Sequence, residues 1–350
     1  MVTRNSQDLL DFVAEVAGDE NLKVEENLGQ GFYRLRVAEA ERRQAKHDIR
    51  QVEDIVIEML RNSRDAAAKH IFIATSRSAD SRRIIMADDG CGIPSHMQAE
   101  IFDARVTSKL ETMHMDLWGV HGRGMALYSI KENTELAQVM ASWPEAGTSI
   151  KVVADVNRLP EKYDQSTWPK AEVNRRKLNI VKGPHNIIRT CCEFALEEAD
   201  EVQVYLGTIP EIVQTIRNLY VSSELKQDSI FCQLGQATEA QSLEEAANNL
   251  GFELSQRNAY RILDGSVEPQ ETVLHTLKAR LTQRSRNQVD LVKDRRGLKF
   301  SDDAREKLSR SFQRVFDDFA QSYYLELNAE PEIKVSGDIM TVTFDFKKID

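Results

Sequence analysis

The chain has 350 residues, of which 41% are hydrophobic and 29% are charged, the composition of an ordinary globular protein with about two or three domains. Its formal net charge of −10 and its pI near 5.4 argue against a general affinity for nucleic acid or anionic membranes. No apolar run could cross a bilayer, no signal-peptide pattern is present, and the four cysteines show no zinc or disulfide spacing, so we expect a cytoplasmic protein without a membrane span.

The sequence divides into four predicted regions. Residues 1–35 form an acidic N-terminal segment that we expect to be helical, and residues 36–156 alternate helices with pairs of β-strands. After a connector that contains Pro and Trp, residues 157–225 read as a small α/β domain. Residues 226–350 read as mainly helical, with a helix-turn-helix-like spacing at 242–264 and a β-ribbon at the C-terminus. The predicted fold class is therefore α+β.

A polar stripe runs along the helix that is predicted within residues 36–68. Glu58, Asn62 and Asp65 recur at i, i+4 and i+7, so they share one side of this helix, next to a buried apolar face. Two carboxylates and a carboxamide hold water, metal ions and amide donors, whereas a solvated face usually mixes Lys, Glu and Gln. Such a stripe also occurs by chance, so by itself it raises a question without assigning a function.

A glycine-bearing turn follows the next two predicted strands, at 70–77 and 82–89. It reads "DDGCGIP", and Asp88 stands at the end of the second strand, where a carboxylate can accept a hydrogen bond from an exocyclic amine. Gly90 and Gly92 would allow a tight turn and a close approach to a flat ring. Asp89 is expected to face solvent.

A second glycine cluster precedes the helix that begins near Met125. In "WGVHGRGMAL", Gly119, Gly122 and Gly124 would leave free N–H groups at a helix N-terminus, the usual arrangement for holding phosphate. The long loop that contains them is typical of a functional lid. Two further strands are predicted after this helix, and the second begins with Gly147 and Thr148.

Together, these motifs and their order resemble the GHKL ATPase superfamily, which includes DNA gyrase B, Hsp90, sensor histidine kinases and MutL. "EMLRNSRDAA" resembles the N-box of that family, "DDGCGIP" its first glycine box, "GVHGRGMAL" its lid glycine box and "GTSIKV" its final Gly-Thr strand. The resemblance covers about residues 45–155. It implies a Bergerat-type two-layer α/β sandwich, with helices on a mixed sheet, that binds ATP and Mg²⁺ within residues 36–156.

The resemblance also implies roles for individual side chains. Asn62 would ligate Mg²⁺, Glu58 would act as general base, and Asp65 would support the site through hydrogen bonds. Asp88 would accept from the adenine amine, and Thr148 would brace Asp88 or a bridging water. Further nucleotide contacts would come from Gly90, Gly92, Ile93, Lys109, Gly119, Gly122, Arg123, Gly124 and Met125. Lys109 has an equally good alternative as a solvated loop lysine.

The branch within the superfamily stays open. The spacing around His47 disfavours a histidine kinase, and the motif style is closer to MutL and to topoisomerase VI B subunits, whose ATP domain is followed by a transducer domain. Residues 157–225 would then be transducer-like, and ATP would drive lid closure, switching of the C-terminal domains and homodimerisation, with an unidentified protein client. The alternative is an ATP-sensing regulator with little hydrolysis, which could contact DNA through the helix-turn-helix-like segment, although the net charge does not favour DNA.

Overall fold

The computed structural model describes most of the chain. The described residues are 24–29, 32–35, 39–104, 106–107, 114–116, 119–121, 125–174, 177–199, 201–287, 302–320, 323–336 and 339–348. They fall into two compact units, Met1–Ala279 and Arg280–Asp350.

Helices and strands alternate along the first unit. The described α-helices of the chain are α1 (Glu39–Asp48), α2 (Val52–Asp65), α3 (Ala126–Asn133), α4 (Ile187–Glu197), α5 (Ile209–Val221), α6 (Cys232–Gln236), α7 (Ala240–Asn249), α8 (Gln256–Leu263), α9 (Val273–Asn287) and α10 (Asp302–Ala320). The strands are β1 (Val24–Gly29), β2 (Phe32–Leu35), β3 (His70–Arg77), β4 (Ser81–Asp88), β5 (Val106–Thr107), β6 (His114–Asp116), β7 (Gly119–His121), β8 (Leu136–Trp143), β9 (Gly147–Asp155), β10 (Lys170–Asn174), β11 (Lys177–Lys182), β12 (Gln203–Gly207), β13 (Leu325–Leu327), β14 (Glu332–Ser336), β15 (Ile339–Thr343) and β16 (Phe346–Lys348).

A five-stranded mixed sheet organises the first unit, in the order β12-β3-β4-β9-β8. Strand β12 runs parallel to β3, and the other neighbours are antiparallel. Because β12 belongs to this sheet, part of the segment that was predicted as a separate small α/β domain extends the sheet of the preceding residues. The predicted α+β class, with helices on a mixed sheet, is confirmed.

Helices cover both faces of the sheet, because alternate residues of each strand point to opposite sides. On one face, Ile71 and Ile73 of β3 pack with α2, α3, α4 and the start of α9. On the other face, Phe72 and Ala74 pack with α5, α6, α7 and α8. The helix-turn-helix-like segment corresponds to α7 and α8, and both helices contribute buried residues to this second core.

Two local predictions differ from the structure near the N-terminus. Residues 24–29 and 32–35 form an antiparallel β-hairpin within the segment that was expected to be helical, and β5 extends this hairpin to three strands. The long-range pairing with β5 selects the extended form. The helix predicted over residues 36–68 is interrupted at 49–51, where α1 ends and the capped start of α2 begins.

The remaining strands form two-stranded ribbons. In the first unit these are β6–β7 and β10–β11, and in the second unit β13–β16 and β14–β15 accompany the long helix α10. The predicted C-terminal ribbon corresponds to β14 and β15. Among the described residues, every helix is too short or too polar to serve as a transmembrane span.

Candidate nucleotide-binding site

Helix α2 carries the polar stripe of Glu58, Asn62 and Asp65. The helix starts at a capping box, in which the Asp54 carboxylate accepts a hydrogen bond from the backbone N–H of Gln51 at 3.0 Å. Most other residues of α2 are buried in the core, whereas the three stripe residues are half-buried. The stripe therefore lies at the border of the core, where its polar groups can still meet a ligand.

Glu58 is ion-paired within its own helix. Its Oε1 accepts a hydrogen bond from Nη1 of Arg61, and the side chain of Arg61 is 4% exposed, compared with 20% for Glu58. Both side chains also make further interactions. Sequence reasoning missed Arg61, although its i, i+3 spacing from Glu58 was a usable signal. Water that approaches this carboxylate oxygen must therefore share it with a guanidinium.

Asn62, one turn after Glu58, has a side-chain amide that is not fully satisfied. Its Nδ2 atom is buried and has no hydrogen-bond partner among the described residues, which is rare for a buried polar atom. A flip of the amide would turn the oxygen to this position, and a carboxamide oxygen suits a hard cation such as Mg²⁺. No three His, Cys, Asp or Glu side chains converge in the described residues, so Mg²⁺ here would need phosphate oxygens and water as its other ligands.

Asp65 belongs to an ion-pair network at the C-terminal end of α2. Its Oδ1 accepts from Nε of Arg64 at 3.2 Å, and Nη1 of Arg64 donates to Oε1 of Glu198, just after α4, at 2.9 Å. Burial lowers the pKa of Arg64, but the hydrogen bonds and charges of Glu198 and Asp65 outweigh it, so the net shift is upward. The network fixes the end of the helix that carries the stripe.

Asp88 is buried at the end of β4, next to α2. Its Oδ2 accepts from the hydroxyl of Ser63 at 2.8 Å, and its Oδ1 accepts from the backbone N–H of Gly90 at 3.0 Å. Burial raises the pKa of Asp88 to about 6, against the opposing effect of these two hydrogen bonds. Ser63 was not identified from the sequence, because it lies 25 positions from its partner.

The prediction that Asp89 faces solvent is wrong. Its carboxylate accepts from the backbone N–H groups of Lys69 and His70 at 2.7 and 2.8 Å, and its Oδ2 lies 2.8 Å from Nδ1 of His70. Burial would raise the pKa of Asp89, but the hydrogen bonds with His70 and Lys69 and the charge of His70 lower it overall. The start of β3 provides these donors, so Asp89 holds the glycine turn against the sheet.

The glycines around Asp88 are required by close contacts within the protein. Gly92 has φ of +71°, and a Cβ there would lie 1.9 Å from the carbonyl oxygen of Trp143. Gly147 has φ of +102°, and its Cβ would lie 2.3 Å from the carbonyl oxygen of Asp88. A Cβ at Gly90 would lie 2.7 Å from the carbonyl oxygen of the residue that caps α2. The glycine turn is thus packed between α2 and the β8–β9 hairpin.

Three polar side chains project from the same face of the sheet, because they lie opposite one another on adjacent strands. They are Asp88 on β4, Thr148 on β9 and Ser142 on β8. The oxygens Oγ of Ser142 and Oγ1 of Thr148 are 3.0 Å apart, and Oγ of Ser142 accepts from the backbone N–H of Ile93 at 2.7 Å. The Gln98 amide donates to the carbonyl oxygens of Ser142 and Ile93 at 2.8 and 3.2 Å. Sequence reasoning did not identify Ser142 or Gln98.

The other predicted site residues belong to the sequence segment 109–125, of which only part is described. Met125 is buried, and its carbonyl oxygen accepts from the backbone N–H and the hydroxyl of Ser129, both at 2.8 Å. Gly119 begins β7, which pairs with β6. The remaining four predicted residues lie outside the described part of the chain: Lys109, Gly122, Arg123 and Gly124.

The first unit is thus a mixed sheet covered by helices, with a cluster of polar side chains at one edge of the sheet. Residues 47–158 match the family described as histidine kinase-, DNA gyrase B- and HSP90-like ATPases, so this segment is similar to the ATPase domains of the GHKL superfamily. The resemblance predicted over about residues 45–155 is confirmed. The match covers about a third of the chain. No curated protein matches it.

Proposed function

We propose that this chain is a Mg²⁺-dependent ATPase, in which ATP closes the segment at about residues 94–124 and hydrolysis reopens it, switching the conformation of the C-terminal region. The GHKL domain supports ATP binding. The observation that carries the proposal is the half-buried stripe of α2, where the unsatisfied amide of Asn62 lies one turn from the carboxylate of Glu58.

In this proposal the stripe of α2 would act on Mg²⁺ and water, and the end of β4 would bind the adenine base. Asn62 would hold Mg²⁺, which when bound would neutralise charge on the triphosphate. Glu58 would orient and deprotonate the attacking water, and Asp65 would keep the end of the helix in place. Asp88 would accept from the adenine amine. Lys109 and the lid glycines would hold the phosphates.

The first experiment compares the wild type with Glu58→Ala. ATP binding is measured by calorimetry in Mg²⁺, and phosphate release is measured at saturating ATP. We expect the variant to bind ATP with similar affinity and to release phosphate about a hundredfold or more slowly, the usual effect of losing a general base. The control is Glu268→Ala, which removes an exposed carboxylate far along the chain and should change neither quantity.

Each possible outcome tests a different part of the proposal. If the wild type binds ATP but releases no phosphate above the buffer rate, the chain is a nucleotide sensor under these conditions. If the variant hydrolyses ATP as fast as the wild type, Glu58 is not the base. If the wild type does not bind ATP, the assignment of the stripe and of Asp88 fails.

A second candidate, an ATP-sensing regulator with little hydrolysis, is favoured by the contact between Glu58 and Arg61. A guanidinium bound to the carboxylate competes with the water that a general base must hold. If this pair keeps the protein a sensor, Arg61→Met should raise the rate of phosphate release, whereas it should lower or preserve the rate if the pair only positions Glu58. Arg42→Met, on the exposed side of α1, is the control.

A further inference from the structure

The hydroxyl of Ser142 joins three segments of the site. Ser142 is 3% exposed, and its Oγ lies 2.7 Å from the backbone nitrogen of Ile93, 3.0 Å from the carbonyl oxygen of Gly147 and 3.0 Å from Oγ1 of Thr148. These partners belong to the glycine turn and to the start of β9. One buried oxygen atom therefore connects the turn after Asp88 with the strand opposite it.

The chemistry of these groups fixes the direction of each hydrogen bond. A hydroxyl has one proton to donate and two lone pairs that accept. The N–H of Ile93 can only donate, and the carbonyl oxygen of Gly147 can only accept, so Ser142 accepts from the first and donates to the second. Its proton is then used, and the contact with Thr148 is a hydrogen bond only if Thr148 is the donor. This is the one assignment that satisfies all three contacts.

With these directions, the side chains of Thr148 and Asp88 offer only hydrogen-bond acceptors to a ligand. The hydroxyl proton of Thr148 points to Ser142, so its free lone pairs can only accept. Asp88, directly opposite on β4, is also an acceptor when ionised, and its two oxygens are oriented by the N–H of Gly90 and the hydroxyl of Ser63. A ligand that meets Asp88 and Thr148 together must therefore offer N–H or O–H donors.

We infer that Ser142 is a positioning residue for base selectivity: it takes the hydroxyl proton of Thr148, so that the site accepts a purine with an exocyclic 6-amine and rejects one with a 6-carbonyl oxygen. This inference rests on the proposed nucleotide-binding function. In adenine, the acceptors Asp88 and Thr148 meet the two N–H groups of the exocyclic 6-amine. In hypoxanthine they meet the 6-carbonyl oxygen, which is also an acceptor, so buried polar groups are left unpaired. Without Ser142, the hydroxyl of Thr148 can rotate and donate to a carbonyl oxygen.

The test measures the affinities of ADP and IDP by calorimetry, because these ligands differ only in the base. Wild type, Ser142→Ala, Thr148→Val and the double variant are compared. We expect Ser142→Ala to reduce the preference for ADP over IDP about tenfold, the effect of one hydrogen bond. In the Thr148→Val background the same change should alter the preference less than about twofold, because Ser142 acts through the Thr148 hydroxyl.

Controls separate selectivity from damage to the fold. Ser149→Ala removes a buried hydroxyl from the adjacent position of β9, on the opposite face, where Oγ donates to the carbonyl oxygen of Leu250 at 2.7 Å; it should leave the preference unchanged. If Ser142→Ala does not fold, wild type alone gives a second test with the diphosphate of unsubstituted purine riboside, which should bind more tightly than IDP.

The outcomes also separate this inference from the proposed function. If wild type binds neither ADP nor IDP, the proposed function fails. If it binds both equally, or if Ser142→Ala changes the preference equally in both backgrounds, nucleotide binding stands and the role of Ser142 is overturned. IDP binding at least as tight as that of the unsubstituted purine would also overturn it.

Discussion

Asp88 is a buried acid whose proposed role, accepting a hydrogen bond from the adenine amine, requires it to be charged. Burial raises its pKa to about 6, so the carboxylate that would accept from adenine becomes protonated just below neutral pH. We expect adenosine affinity to be nearly constant above about pH 7 and to fall towards tenfold per pH unit well below the pKa, because a proton competes with the amine for the same oxygen. Adenosine avoids the titration of ligand phosphates. Calorimetry from pH 5 to pH 8 measures the effect, and a flat profile would contradict it.

The same burial makes Asp88 unfavourable for the stability of the empty protein. Folding raises the pKa of Asp88 from 3.8 to about 6, because burial favours the protonated carboxyl. The stability that this protonated form contributes is complete below pH 3.8 and is lost as pH rises through about 6. At pH 8 the loss is about 3 kcal/mol, taking about 1.4 kcal/mol per unit. Asp88→Asn should therefore raise the Tm of the nucleotide-free protein by several degrees at pH 8, with no gain near pH 4, while abolishing ADP binding. Ser63 can rotate to accept from the new amide.

Asp89 provides the matched control for this prediction, because its substitution should change the Tm in the opposite direction. Its pKa is lowered, so its carboxylate contributes stability above the unfolded pKa that is lost as pH falls. Asp89→Asn should consequently lower the Tm at pH 8. Two neighbouring Asp→Asn changes with opposite effects on the Tm would separate electrostatic effects from general damage to the turn, and effects of the same sign would contradict the assignment.

At the scale of elements, the glycine turn depends on the β8–β9 hairpin. Gly92→Ala would place a Cβ against the carbonyl oxygen of Trp143, so the turn or the hairpin must move. Gly265 has a similar φ of +78° but open space around its Cβ position, and Gly265→Ala should cost only the strain of the left-handed backbone, about 1–2 kcal/mol. Urea denaturation should show a clearly larger loss of unfolding free energy for Gly92→Ala, and ADP affinity should fall in that variant alone. Equal losses would mean that the turn is not held by the hairpin.

The elements that sequence reasoning predicted are those with a strong local signal. The apolar spacing from Val52 to Leu60 predicts α2, and the β-branched runs at 70–77 and 82–89 predict β3 and β4. The hairpin at 24–35 was missed because its partner β5 lies about seventy residues further on. The partners of the site residues were missed for the same physical reason: the contacts of Ser63 with Asp88 and of Ile93 with Ser142 depend on how elements pack, which no local pattern encodes.

At the scale of the whole molecule, the packing unit that contains the family match extends beyond the matching segment. Residues 47–158 include Phe72, Ile85 and Ala87, which are fully buried only because α5–α8, from residues 209–263, cover that face of the sheet. Without this layer, a continuous apolar surface would face solvent, which a stable globular domain rarely tolerates. The five-stranded sheet and the helices of residues 209–263 should therefore unfold together.

Phe231 tests this coupling. Its ring is fully buried and meets Phe72 of β3 edge-on, with the ring centroids 5.4 Å apart. Phe231→Ala should cost about 3–5 kcal/mol of unfolding free energy, whereas Val221→Ala, at a side chain that is 74% exposed, should stay within about 0.5 kcal/mol. ADP at a hundredfold its Kd should add about 2.7 kcal/mol to both wild type and Phe231→Ala, because the residue lies on the face of the sheet away from α2. An unchanged unfolding free energy would mean that the layer folds independently of the sheet. A smaller increment from ADP would mean that the layer also shapes the site, since the variant would then bind the nucleotide more weakly.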